Sequence, residues 1–216
     1  MARFNAETAE QYGGTGGHGF FSLQNDKDTA RVRFMYSNLD ELSGYAVHKV
    51  TVDGRDRYVN CLREYNQPIA DCPFCEAHMP QFAKIYVPLY VMDDNGGGEI
   101  KIWERGKKFI AKMVSLFSRY PNICGTVFEI ERNGKKGDTA TTYEIYPIET
   151  DNVKLTDLPE VPEILGGVVL DKTYDDMLEY LQRGKFGNAQ QENVQQRRTP
   201  NEYGRRVDAN NSRSRF

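Results

Sequence analysis

His48, Cys61, Cys72 and Cys75 follow the spacing H-x12-C-x10-C-x2-C, and their side chains are the types that hold a metal ion. Thiolate and imidazole ligands suit a single tetrahedral zinc, and a set of three Cys and one His leaves no coordination position for water or substrate. The chemistry expected of such a site is structural. Cys72-Pro73-Phe74-Cys75 lets one tight turn aim two sulfurs at one point, while His48 and Cys61 arrive from neighbouring strands.

Other readings of these residues fit less well. A redox Cys-x-x-Cys pair expects a βαβ context and leaves His48 and Cys61 without a role. Four Cys in 216 residues, with no apolar segment behind Met1-Ala2-Arg3-Phe4-Asn5, point to a reducing cytoplasm rather than a disulfide framework. His78 lies three residues beyond Cys75 and competes with His48 as the fourth ligand. His48 is favoured because residues 46 to 52 read as a strand beside the one carrying Cys61. Cys124 reads as a small buried filler, and His18, in a glycine-rich stretch, has no visible partners.

A second set of residues lies on two strands. In Ile85-Tyr86-Val87-Pro88-Leu89-Tyr90-Val91 the alternation puts Ile85, Val87, Leu89 and Val91 on one face, with Tyr86 and Tyr90 on the other. In Glu99-Ile100-Lys101-Ile102-Trp103-Glu104-Arg105 it groups Lys101, Trp103 and Arg105, so that cations flank an aromatic ring. Lys107 and Lys108 extend the positive strip. Rings that stack on bases, beside cations that follow phosphates, are what sequence-tolerant single-strand binding needs. Aromatics are also common in strands, and a half-buried surface Trp satisfies the same pattern.

The elements that position these residues are mainly strands. Period-two patterning marks residues 31–37, 46–52, 55–62, 84–92, 99–105, 126–132 and 141–148, and Asp53-Gly54, Asp94-Asn95-Gly96-Gly97-Gly98 and Asn133-Gly134 supply turns. A helix over 107–120 carries Phe109, Ile110, Met113, Val114, Leu116 and Phe117 at helical spacing and stops at Pro121. Strand hairpins interrupted by one helix predict a mainly β fold with few helices, a five-stranded Greek-key barrel of the OB type. A zinc-bearing subdomain over about 46–80 decorates it. Residues 1–19 read as a flexible arm, 20–182 as the folded core with a C-terminal amphipathic helix at 173–182, and 183–216 as a disordered tail. The net charge of −3 is uneven, since residues 183–216 carry eight basic against three acidic side chains. No apolar run approaches the length of a membrane span.

In these residues the chain resembles the zinc-containing, helix-destabilising single-stranded DNA-binding proteins of tailed bacteriophages, of the T-even type. The likeness runs from about Phe20 to Ile148. It rests on Gly19-Phe20-Phe21-Ser22, Arg31-Val32-Arg33-Phe34, the His48, Cys61, Cys72, Cys75 spacing, the strand Tyr86 to Val91, Trp103-Glu104-Arg105-Gly106-Lys107-Lys108 and Cys124. The resemblance implies an OB-fold with a zinc subdomain, one structural zinc, no catalytic activity, and single-stranded DNA held in a cleft between the two parts. It assigns stacking to Tyr86 and Trp103 and phosphate contact to Lys101, Arg105, Lys107 and Lys108, with Tyr90, Arg31 and Arg33 as further candidates. It also implies self-association along the strand, phage replication or recombination proteins as partners, and action in the cytoplasm of an infected bacterial host. Two departures stand out. Residues 1–12 hold Arg3 as their one basic side chain, where the family has a Lys-Arg-rich arm, and the tail is basic where the family's is acidic.

Rival classes each need something else. A hydrolytic or deaminase zinc enzyme needs an open metal position and a general acid, for which Glu76 is the nearest candidate. A duplex-reading regulator needs a helix less apolar than 107–120. A zinc-stabilised interaction or virion protein would bind no oligonucleotide.

Overall fold

The computed structural model describes residues 19–138 and 140–187. Most of the predicted arm and tail, and His18, lie outside the described residues. Seven strands form one antiparallel sheet: β1 (Thr29–Phe34), β2 (Gly44–Val52), β3 (Arg55–Asn60), β4 (Gln81–Met92), β5 (Gly98–Gly106), β6 (Thr126–Asn133) and β7 (Thr142–Thr150). Among the described residues three α-helices accompany them, α1 (Pro73–Glu76), α2 (Ile110–Arg119) and α3 (Tyr174–Arg183). None is long and apolar enough to cross a membrane.

The sheet is organised by β4, the longest strand at 12 residues. β5 runs along one edge of it, from Lys84 opposite Gly106 to Met92 opposite Gly98. The other edge is shared. Its first half, Gln81 to Ile85, pairs with β2, and its second half, Leu89 to Val91, pairs with β1. From there the order continues through β6 to β7, and β3 lies outside β2. The sheet does not close. Gly19 and Phe21 hydrogen-bond Ile102 along the outer edge of β5, and Leu170 exchanges backbone bonds with Tyr58 and Asn60 on β3. Segments that cover sheet edges in this way block edge-to-edge pairing. Residues 46–80 are continuous with the sheet through the β2–β4 ladder, and Val50, Val59, Cys72 and Phe74 form a second core there together with Met177 of α3.

The main core lies where the curled sheet meets α2. Phe34 and Phe128 pack edge to face at 5.3 Å, and Met113, Leu116 and Phe117 come down from α2. Apolar spacing makes that helix and Pro121 follows its end, but its apolar stripe is wider than the buried one, since Ile110 and Val114 stay 36% and 42% exposed. α3 begins at a capping box, where Asp176 N–H donates to Thr173 Oγ1 and Thr173 N–H donates to Asp176 Oδ2. It ends at Arg183, one residue beyond the expected boundary, and is capped by Gly184 at φ 70°, a left-handed conformation that glycine adopts without steric cost. Phe186 then packs on Tyr180, so ordered chain continues past 183.

Candidate metal centre and adjoining basic cleft

The four predicted ligands converge. One donor atom from each of His48, Cys61, Cys72 and Cys75 lies within 4.8 Å of every other. Cys61 and Cys75 sulfurs are 3.6 Å apart, and His48 Nε2 is 3.6 Å from Cys72 Sγ and 3.5 Å from Cys75 Sγ. A tetrahedral ion with bonds of about 2.3 Å to sulfur and about 2.0 Å to nitrogen sets neighbouring donors roughly 3.5–3.8 Å apart. The four residues have the chemistry and spacing to hold one metal ion. All four described cysteines are free thiols.

Local sequence builds this geometry. Pro73 stands in the first turn of α1, where its missing N–H is not needed, and one helical turn then brings Cys75 beside Cys72. In the hairpin, His48 faces Val59 across the ladder and Cys61 follows the end of β3. The His48 ring is fully buried, packs edge to face on Phe74, and has Nδ1 3.1 Å from the Pro80 carbonyl. That contact makes Nδ1 the protonated nitrogen and leaves Nε2 free to ligate. Burial lowers the His48 pKa, which favours the neutral, ligating form. Burial pushes the Cys72 thiol up, but backbone N–H groups of Leu62, Cys75 and Phe74 bring it below the ordinary value. Cys75, half-buried and beside Cys61, is pushed up to about 12 by desolvation and by its sulfur neighbour. Crowded sulfurs resist carrying charge together, and a cation between them removes that cost. His78 is exposed, at φ 56°, and is not in the cluster.

Side chains from elsewhere in the chain pack and hydrogen-bond around the ligands. Met177 Sδ on α3 is 4.0 Å from Cys72 Sγ, Tyr180 packs on Phe74, and the Thr51 N–H donates to the Tyr180 hydroxyl at 3.0 Å. Gln81, at the start of β4, donates from Nε2 to Cys61 Sγ at 3.1 Å.

The predicted aromatic platform is not formed. In the β4–β5 ladder Val87 stands opposite Trp103 and Tyr86 opposite Glu104, so Tyr86 and Trp103 occupy opposite faces of the sheet. Both are buried, at 3% and 1% exposed. Trp103 belongs to the main core with Val87, Leu89 and Met113. Tyr86 packs with Val47, Ile102 and Val169 on the other face. Both faces of β5 are covered, which a single strand's alternation does not reveal.

The predicted cations divide. Arg33 is 5% exposed and paired with Asp151, so it serves the core. Arg31 pairs with Glu149 at 3.1 Å and Lys101 with Glu99 at 2.8 Å, and Tyr90 is half-buried. Arg105, Lys107 and Lys108 come together with Lys84 and Lys112 around a cleft of about 890 Å³ between the start of β4, the entry to α2 and the start of β7. Among the described residues Glu144 is the one carboxylate lining it, and Lys84 is paired with Glu104 at 2.5 Å. Arg105 lies 4.0 Å from the Tyr143 ring and 4.4 Å from the Trp103 ring, and its Nε is buried without a hydrogen-bond partner among the described residues. Phe82, 36% exposed, is on the wall.

Sequence reasoning missed Phe82, Lys84, Lys112 and Tyr143. Lys112 was signalled by its position one helical turn after Lys108. Tyr143 becomes a cleft residue only through the curl that brings its ring 5.2 Å from Trp103. Tyr65, between Cys61 and Cys72, is 94% exposed and was likewise missed. No family model and no curated protein sequence matches the chain.

Proposed function

We propose that the chain is a single-stranded DNA-binding protein with one structural zinc ion, of the helix-destabilising phage kind that its motifs resemble. It would cover transient single strands during replication, recombination or repair in the host-cell cytoplasm. We read the curled part of the sheet as an OB-type barrel left open between β5 and β7. The observation that carries the reading is the cleft at that opening, where Arg105, Lys107 and Lys108 gather beside Lys84, paired with Glu104, and Lys112, 3.7 Å from Glu144. Its aromatic wall, Phe82 with the edges of Phe109 and Tyr143, takes the stacking role first expected of Tyr86 and Trp103. Cations that track phosphates beside rings that stack bases are the means of sequence-tolerant strand binding.

Zinc is the metal that best suits three thiolates and one imidazole in a tetrahedral, redox-inert site. Four protein ligands leave no position for a reacting water, so the proposed ion is a staple and no catalytic residue is assigned.

The test is fluorescence anisotropy of labelled oligo-dT, the same length of RNA and a duplex of equal length, each at two salt concentrations. Single-stranded DNA should bind most tightly and lose affinity steeply as salt rises. Absence of binding to every oligonucleotide at both salts would overturn the reading in favour of an interaction module.

A further inference from the structure

The start of β4 belongs to the metal centre and the cleft at once. Three contacts tie it to the ligands. Gln81 is the register partner of His48, the Pro80 carbonyl meets His48 Nδ1 at 3.1 Å, and Gln81 Nε2 donates to Cys61 Sγ at 3.1 Å. The next residues along the same strand, Phe82, Ala83 and Lys84, form a wall of the cleft with Gln81 itself. Gln81 also lines a separate hollow with Arg63 and Tyr65, so it lies between the cleft and the exposed loop that the ligands Cys61 and Cys72 bracket.

We propose that Gln81 is a positioning residue that couples metal occupancy to the cleft: its amide fixes the start of β4 on the ligand sulfur of Cys61 and so sets Phe82 and Lys84. The inference rests on the strand-binding reading for its consequence, but not for its geometry. A sulfur bound to a cation stays in place and carries negative charge, and hydrogen bonds to charged acceptors are roughly twice as strong as neutral ones. Loss of the ion frees the sulfurs to separate and removes the fixed acceptor. Among the described residues β4 has no other side-chain bond to a ligand at this end. Gln81 is exposed, so the bond is not needed to fill the core, and its loss should alter the wall without unfolding the sheet.

The experiment uses the full chain loaded with zinc and compares wild type with Gln81→Glu, which keeps the length of the side chain but places a carboxylate against the sulfur. Gln81→Ala serves as the second variant should the first lose metal. Metal content and buried Trp103 emission check that each variant is intact. Amide hydrogen exchange at Phe82 to Ile85 should speed up by about threefold to tenfold, the worth of one such hydrogen bond, and the affinity for oligo-dT should fall by a similar factor. At a temperature where melting curves show both metal-free proteins still folded, chelating the metal should weaken wild type and change the variant far less. Unchanged exchange at Phe82 to Ile85 in an intact variant overturns the coupling, and so does metal removal that weakens both proteins equally. Faster exchange in a protein that binds no strand keeps the coupling and sinks the strand-binding reading instead.

Discussion

Arg33 and Asp151 lock the chain that leaves β7 onto β1: Nη1 meets Oδ1 at 3.1 Å and Nη2 meets Oδ2 at 2.5 Å, while Nη1 also donates to the Cys124 carbonyl at 3.2 Å. The guanidinium is 6% exposed and the carboxylate 40%. The Arg33 hydrogen bonds, helped by the Val153 N–H, hold the Asp151 carboxyl below its ordinary pKa. A depressed folded pKa gives stability that is present above the unfolded value and is lost as pH falls through the folded one.

Asp151→Asn should therefore destabilise at neutral pH, because it leaves a buried guanidinium without its counter-charge. A fully buried pair would cost more, but with the carboxylate partly in solvent about 1–3 kcal/mol is expected. Urea melts at pH 7 and below pH 4 check it. The difference between wild type and variant should shrink in acid, and a constant gap would show that Asp151 acts through packing or through its bond to Val153.

The metal prediction separates two histidines. Purified protein should carry one equivalent of zinc, and Cys72→Ser or His48→Ala should lose it together with thermal stability, since assembling such a site is coupled to folding. His78→Ala should keep both, because that side chain is exposed and outside the cluster. Metal analysis near zero for the wild type, or loss on replacing His78 alone, contradicts the assignment.

How far the sequence reached is clearest at β5. Its alternation grouped Lys101, Trp103 and Arg105 on one face, and the register keeps them together, opposite Leu89, Val87 and Ile85. What the strand could not say is which face is interior. A cation on each side of a ring reads as exposure, yet Trp103 is buried while Arg105 spreads its guanidinium over the ring, the way long cationic side chains cover apolar surface with the charge kept outward. The metal ligands were legible because their chemistry fixes their spacing locally. The seven strands were legible because each has its own period. The cleft was not, since it depends on β7 curling towards β5, so that Tyr143 and Glu144 meet residues as far back as Gln81.

Trp103 and Phe82 should consequently respond in opposite ways. Trp103→Ala empties a fully buried position and should cost about 3–5 kcal/mol of stability. Phe82→Ala, at an exposed wall, should leave the melting temperature nearly unchanged and weaken oligo-dT binding by about 1–3 kcal/mol if its ring stacks on a base. Melting curves and anisotropy on the same preparations decide it. Tight binding by an intact Phe82→Ala protein would move the stacking to another ring.

Lys107 and Lys108 give the sharpest test of the cleft, because both are exposed, neither is in an ion pair among the described residues, and the 3-10 turn Lys107–Phe109 carries them into α2. Replacing both with Gln should leave the fold intact, since no core contact depends on them. For single strands log K falls with log salt by about 0.7 per phosphate contact, so the double variant should flatten the slope by roughly 1.4 while weakening every sequence alike. Lys101→Gln is the control from the same strip: its ammonium is held by Glu99 at 2.8 Å, and the slope should change little. A double variant with the wild-type slope would place the phosphates elsewhere on the molecule.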